Sequence, residues 1–141
     1  MRKAVVCSDE RVFADEEGHH IVCVRAPHLI EVRWSGKITV GEALVAYLKY
    51  LSRLTLAAHG QVSQIHFLSQ LEGYDAGVIR RHVSWSEKHA SRVGGIAVVG
   101  ASVVTMLAVA TTSMLQSRPV RAFGSEADAL AWVGAFHGVL H

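Results

Sequence analysis

Between Arg92 and Arg118 run 25 residues, VGGIAVVGASVVTMLAVATTSMLQS, without a charged side chain or a histidine. Two designs accommodate such a run. One is a membrane span, because roughly 20 apolar residues cross a bilayer core. The other is a buried strand, Gly95 to Gly100, followed by a helix from about Ala101 to Gln116. The texture of the run favours the second. Its first part is a short β-branched segment between glycines, as suits a strand covered on both faces. Its second part holds Ser102, Thr105, Thr111, Thr112, Ser113 and Gln116, a polar load ill suited to a lone lipid-exposed span. Arg118-Pro119 then stops the helix, and Val120 to Phe123 reads as another strand.

The chain has 141 residues, half of them hydrophobic and 18% charged, which is enough for one core and excludes disorder. A net charge of +2 makes no electrostatic case for nucleic acid. Cys7 and Cys23 show no metal-ligand spacing and read as one small buried hydrophobe and one incidental thiol in a reducing cytoplasm. After Arg2-Lys3 only Ala4 to Cys7 are apolar, too short for a signal-peptide core. The expectation is a cytoplasmic protein that is not integral to a membrane.

Residues 1–18 form an N-terminal arm with room for an edge strand, and residues 19–141 form one domain. His20 to Arg25 and Leu29 to Trp34 flank Ala26-Pro27-His28 and read as an antiparallel hairpin. Thr39-Val40-Gly41-Glu42 has the spacing of a capping box, and Leu44, Tyr47, Leu48, Leu51, Leu54, Thr55 and Ala58 share one helical face. Ile65 to Leu68 is strand-like, and Leu71 to Tyr74 reads as a loop. A second helix, from about Asp75 to Ser91, carries Ala76, Ile79, Val83, Ser86 and Ala90 inward, with Arg80, Arg81, Glu87, Lys88 and Arg92 outward. Val78, His82, Trp85 and His89 lie on the boundary between those faces. Ser125-Glu126-Ala127-Asp128 opens a last helix, with Ala129, Val133, Phe136 and Leu140 on its buried side. The alternation predicts an α/β fold with a mixed, mostly parallel five-stranded sheet and an antiparallel hairpin strand at its N-terminal end.

Residues that carry chemistry form no recognisable constellation. His19-His20 follows Glu16-Glu17, but adjacent side chains diverge in an extended chain, which disfavours a metal site. His82 and His89 share a helix face without meeting. No nucleophile elbow, phosphate loop or dinucleotide fingerprint occurs, and Gly94-Gly95 and Gly100 read as backbone turns. The expectation is no catalytic residue, no metal and no cofactor.

The strand Leu29 to Trp34 before Gly36, the helix start at Thr39, GIAVVG at 95–100 and VRAFGSEADALAWV at 120–133 resemble bacterial STAS/SEC14 domains of the SpoIIAA-like type. The resemblance spans about residues 20–137. It implies a superhelix of four strand–helix turns and a non-enzymatic binding or regulatory role through another protein. Relatives of the anti-anti-sigma type are switched by phosphorylation of a serine at the start of the second helix. The similar position here reads Gly73-Tyr74-Asp75-Ala76-Gly77, without a serine, so the switch is expected to be missing and Asp75 to remain as a helix cap. Tyr74, Asp75, Val78, His82, Trp85 and His89 are the candidate partner-binding residues, weighed against simple packing on a neighbouring loop. Val103, Met106, Val109 and Met114 form a candidate apolar surface for self-association, as in a homodimer, or for a partner or lipid. The alternative role is a lipid- or hydrophobic-ligand-binding protein at the membrane periphery.

Overall fold

The computed structural model describes residues 7–100 and 119–137. Six strands make one sheet in sequence order: β1 (Ser8–Ala14), β2 (Gly18–Ala26), β3 (Leu29–Ile38), β4 (Val62–Tyr74), β5 (Val93–Val99) and β6 (Val120–Phe123). The first three run antiparallel, and β3 to β6 run parallel. Parallel neighbours need a crossover. Helix α1 (Glu42–Ala57) supplies it between β3 and β4, and α2 (Ala76–Lys88) between β4 and β5. Helix α3 (Glu126–Gly134) follows β6. The mixed α/β architecture is the one the alternation predicts, with β1 as a sixth strand drawn from the N-terminal arm.

The uncharged run begins as a strand. Val93–Val99 is buried along its whole length, with β4 and β6 on its two sides. A membrane helix through these residues is thereby excluded, and no helix among the described residues is long and apolar enough to cross a bilayer. The predicted helix Ala101–Gln116 lies outside the described residues, as do Val103, Met106, Val109 and Met114 on it. Gly94 and Gly95 stand inside β5 and make no turn. A Cβ at Gly95 would come within 2.6 Å of the Phe136 ring and 2.9 Å of Trp132, so the glycine lets the C-terminal segment lie on the sheet.

Two cores form, one on each sheet face. Alternation sends Val22, Ile30, Val32, Trp34 and Leu68 to the face covered by α1 and α2. It sends Ile65, Ala97 and Val99 to the face covered by Ala129 and Val133 of α3. On α1 the buried residues are Leu44, Tyr47, Tyr50, Leu51 and Thr55, close to the predicted stripe.

Three local expectations are corrected. The capping box at Thr39 does not form, because β3 continues to Ile38 and α1 starts after Gly41. The Thr39 hydroxyl instead donates to Asp15 Oδ2 at 2.9 Å. Asp15 Oδ1 accepts from the Glu17 and Gly18 amides, and these bonds, chiefly the one from Glu17, lower the Asp15 pKa. Residues 15–18 are therefore a turn that ties β1 to β2. Leu71 to Tyr74, read as a loop, belongs to β4 through its pairing with β3. Cys7 and Cys23 are joined as a disulfide, because antiparallel pairing of β1 on β2 brings together residues 16 apart in sequence.

Gly36 sits opposite Gly18 across β2 and β3, at a positive φ of 70°. A Cβ there would collide with the Glu17 carbonyl oxygen. Both the conformation and the contact require glycine. Gly36→Ala is expected to lose about 2 kcal/mol or more in urea unfolding, whereas Gly60→Ala, at positive φ in open space, should lose only about 1. Equal losses would show that the contact with Glu17 does not matter.

Candidate functional site

Helix α2 positions the predicted partner-binding residues. Its inward stripe is Val78, His82, Trp85 and His89; of the face expected from the sequence, Ser86 is buried but Ala76 is exposed and Ile79 and Val83 are only half-buried. Val78 and Trp85 are buried, and so is His89 just after the helix. The Trp85 indole N–H donates to Ser52 Oγ at 2.7 Å and to the Leu48 carbonyl at 3.2 Å, and the His89 ring stacks on the indole. Large rings occupy the core because they remove the most apolar surface from water. Arg92, expected to point outward, reaches the C-terminal end of α1, where its guanidinium donates to the Ala58 carbonyl at 2.5 Å. Tyr74 and Asp75 lie at the rim. Asp75 holds the N-cap position of α2, but its side chain makes no capping bond.

His82 belongs to a buried set of rings between the sheet and the two helices. His20 on β2 stacks parallel on Tyr47 of α1, with centroids 4.0 Å apart, and meets the edge of Trp34 on β3 at 4.5 Å. The Trp34 indole donates to His66 Nδ1 at 2.8 Å, and His66 Nε2 lies 2.7 Å from Gln64 Oε1. His66 thus accepts at Nδ1 and donates from Nε2, which is the neutral ring. His82 packs against Trp34, Tyr47 and His66. Burial is the main cause of low basicity in all three imidazoles, pushing His20 down to about 3 and His82 to about 4, with His66 also well below the usual value. Among the described residues, His20 Nε2, Tyr47 Oη, Gln64 Nε2 and His82 Nε2 have no hydrogen-bond partner. His19, its predicted companion, points to the opposite side of β2 from His20, as strand geometry requires.

Described residues line two concavities of note. One is a groove of about 510 Å³ between the N-terminal part of α1 and α2, lined by Val40, Glu42, Val45, Ala46, Lys49 and Arg81. Val40 and Val45 are 40% and 39% exposed, unusual for large aliphatic side chains. The other, of about 330 Å³, lies on the opposite sheet face between Pro27, Leu29, Leu130 and Val133. His28 and His137 border it with rings stacked 5.3 Å apart. Ser63 Oγ sits 2.7 Å from His137 Nε2 and accepts from the Gly95 amide at 3.0 Å. Burial, and then the neighbouring His28, lower the His137 pKa.

A family model described as SpoIIAA-like matches residues 29–134. The chain belongs to the SpoIIAA-like family. Its fold is similar to that of an uncharacterised protein with a SpoIIAA-like fold from Shewanella loihica, at 12% identity and a TM-score of 0.63, covering 94% of this chain and 99% of that one. It is also similar to apo-SiaC from Pseudomonas aeruginosa, at 6% identity and a TM-score of 0.57, covering 82% and 99% of the two chains. No curated protein sequence matches it.

Within this SpoIIAA-like chain, the sequence reading reached His82 but not His20, Tyr47 and His66 as its neighbours. Their signal is faint: each is a polar residue at an inward-facing position of an otherwise apolar strand or helix. The groove residues carry a clearer mark: Val45 falls off the apolar face of α1, and Val40 is an aliphatic residue in the connection just before that helix.

Proposed function

We propose that the protein is a non-enzymatic, regulatory binding module that engages another protein through the groove between α1 and α2. The observation that carries this reading is the exposure of Val40 and Val45 on a largely apolar groove where Lys49 and Arg81 outnumber the single carboxylate, Glu42. Such a surface fits an apolar side chain carried on an acidic segment. Tyr74 and Asp75 precede α2 near this end of the fold and complete the proposed contact region. The usual serine phospho-switch has no counterpart in Asp75-Ala76-Gly77, so partner binding is proposed to be independent of it. SpoIIAA-like folds generally serve binding and regulation, which supports a non-catalytic role. Ser63 supports it too. The residue is fully buried, and its hydroxyl is engaged by both His137 and the Gly95 amide, which suits a structural link better than a nucleophile.

A photo-crosslinking residue at Val45 is expected to yield a discrete protein adduct in the cells from which the protein comes. Combined charge reversal, Lys49→Glu with Arg81→Glu, should abolish the adduct without changing the thermal midpoint. An adduct that survives the reversal would refute the groove as the binding site.

The second reading, a hydrophobic ligand, rests on the apolar cleft beside Pro27, Leu29, Leu130 and Val133. Native mass spectrometry of the purified protein is expected to show the bare chain mass if the first reading holds. A co-purified lipid, lost under denaturing conditions, would favour the second.

A further inference from the structure

The cysteines lie beside a third metal-binding donor. Cys7 and Cys23 Sγ stand 3.9 and 3.7 Å from the same atom, Glu31 Oε2 on β3. Cys23 and Glu31 are both more than nine-tenths buried. The three donor atoms lie within 4.8 Å of one another. We propose that, when the two cysteines are reduced, Cys7, Cys23 and Glu31 together bind a zinc ion.

Two sulfurs and one carboxylate oxygen are a donor set that zinc accepts, with a fourth position left to water or another ligand. Tetrahedral zinc with ordinary bond lengths places sulfur and oxygen donors about 3.5 Å apart and two sulfurs about 3.8 Å apart. The sulfur–oxygen spacings already approach this value. Only the two sulfurs must separate, by rotation of their side chains. The chemistry balances through an external dithiol. It delivers two electrons and two protons to the Cys7–Cys23 bond and becomes a disulfide itself. Zinc then displaces the two thiol protons.

Charge gives the strongest reason. With the disulfide, the site carries only the −1 of Glu31. With zinc, +2 from the ion, −2 from two thiolates and −1 from Glu31 again sum to −1. The exchange therefore creates no new buried charge, which would be costly. Arg25 Nη1, 3.2 Å from Glu31 Oε1, balances the site in both states and orients the carboxylate. Arg33 Nε shares Oε2 at 3.1 Å from a half-exposed side chain that also lies over the Phe67 ring, and it would have to yield that oxygen to the metal. Zinc would fasten the residue before β1 to both β2 and β3, where the disulfide ties it to β2 alone.

The test is a zinc titration of the reduced full chain, under a non-thiol reductant and without air, against a chromophoric chelator. One zinc per chain is expected. Affinity should fall at least about a hundredfold in a Cys7→Ser/Cys23→Ser double variant and at least about tenfold in Glu31→Gln. Cobalt in place of zinc should give thiolate-to-metal charge-transfer absorption in the wild type alone. Circular dichroism reports whether each variant folds. If Glu31→Gln does not, the double serine variant decides the matter, since it keeps the Glu31–Arg25 pair. The proposal is overturned if the reduced wild type binds zinc no tighter than that variant, or if cobalt shows no thiolate band.

Discussion

Lowering the pH from 7 to 5 is expected to remove at least about 4 kcal/mol of folding stability, a large share of the 5–15 typical of a domain. The cause is the buried imidazole set. In the unfolded chain a histidine protonates near pH 6.5, whereas burial holds His20 at about 3 and His82 at about 4 in the fold. Above pH 6.5 these rings are neutral in both states and contribute no pH dependence. Below it the unfolded chain binds protons that the fold refuses, and stability falls by about 1.4 kcal/mol per pH unit and per ring. From 6.5 to 5 that amounts to about 2 kcal/mol each for His20 and His82. His66 adds to the loss with the same sign. The slope flattens only below about pH 4, where the folded rings themselves take up protons. Urea midpoints measured across pH 4–8 check this, and His82→Phe should remove part of the slope. A stability that stays flat from pH 7 to 5 would mean that water reaches these rings.

Trp85→Ala is expected to cost about 3–5 kcal/mol, the range for deleting a large aromatic from a core. The indole is only 7% exposed, and its N–H is bonded to Ser52 and Leu48 of α1, so the substitution opens a cavity and removes those hydrogen bonds. Val45→Asp, at an exposed groove position, should stay within about 0.5 kcal/mol of wild type. The pair separates folding from recognition. If Trp85→Ala folds with wild-type stability but loses the Val45 crosslink, the indole serves a partner and not the core.

The elements of this fold were legible because each announces itself over a few neighbouring residues. β5 is marked by a β-branched run between glycines, and α3 by Ser125, whose Oγ does accept from the Asp128 amide. Thr39 shows the limit of such signals. Its spacing to Glu42 is that of a cap, yet a hydrogen bond to Asp15, 24 residues away, and the continuation of β3 take it elsewhere. On α2 the choice between two adjacent stripes turned on which rings meet Trp34 and Tyr47, and periodicity cannot see across to another helix.

By itself the sequence determined the class of fold: alternating strand and helix, one strand covered on both faces, and no charge to place within it. Those properties are local, set by side-chain polarity and backbone preference along the chain. Tertiary structure alone decided which distant residues meet. It paired Ser8–Ala14 with Gly18–Ala26 and so brought Cys7 to Cys23 and both to Glu31. It also gathered His20, His66 and His82 from three elements into one dry space. Pairing of that kind depends on register between strands, where a shift of one residue turns every side chain to the other face.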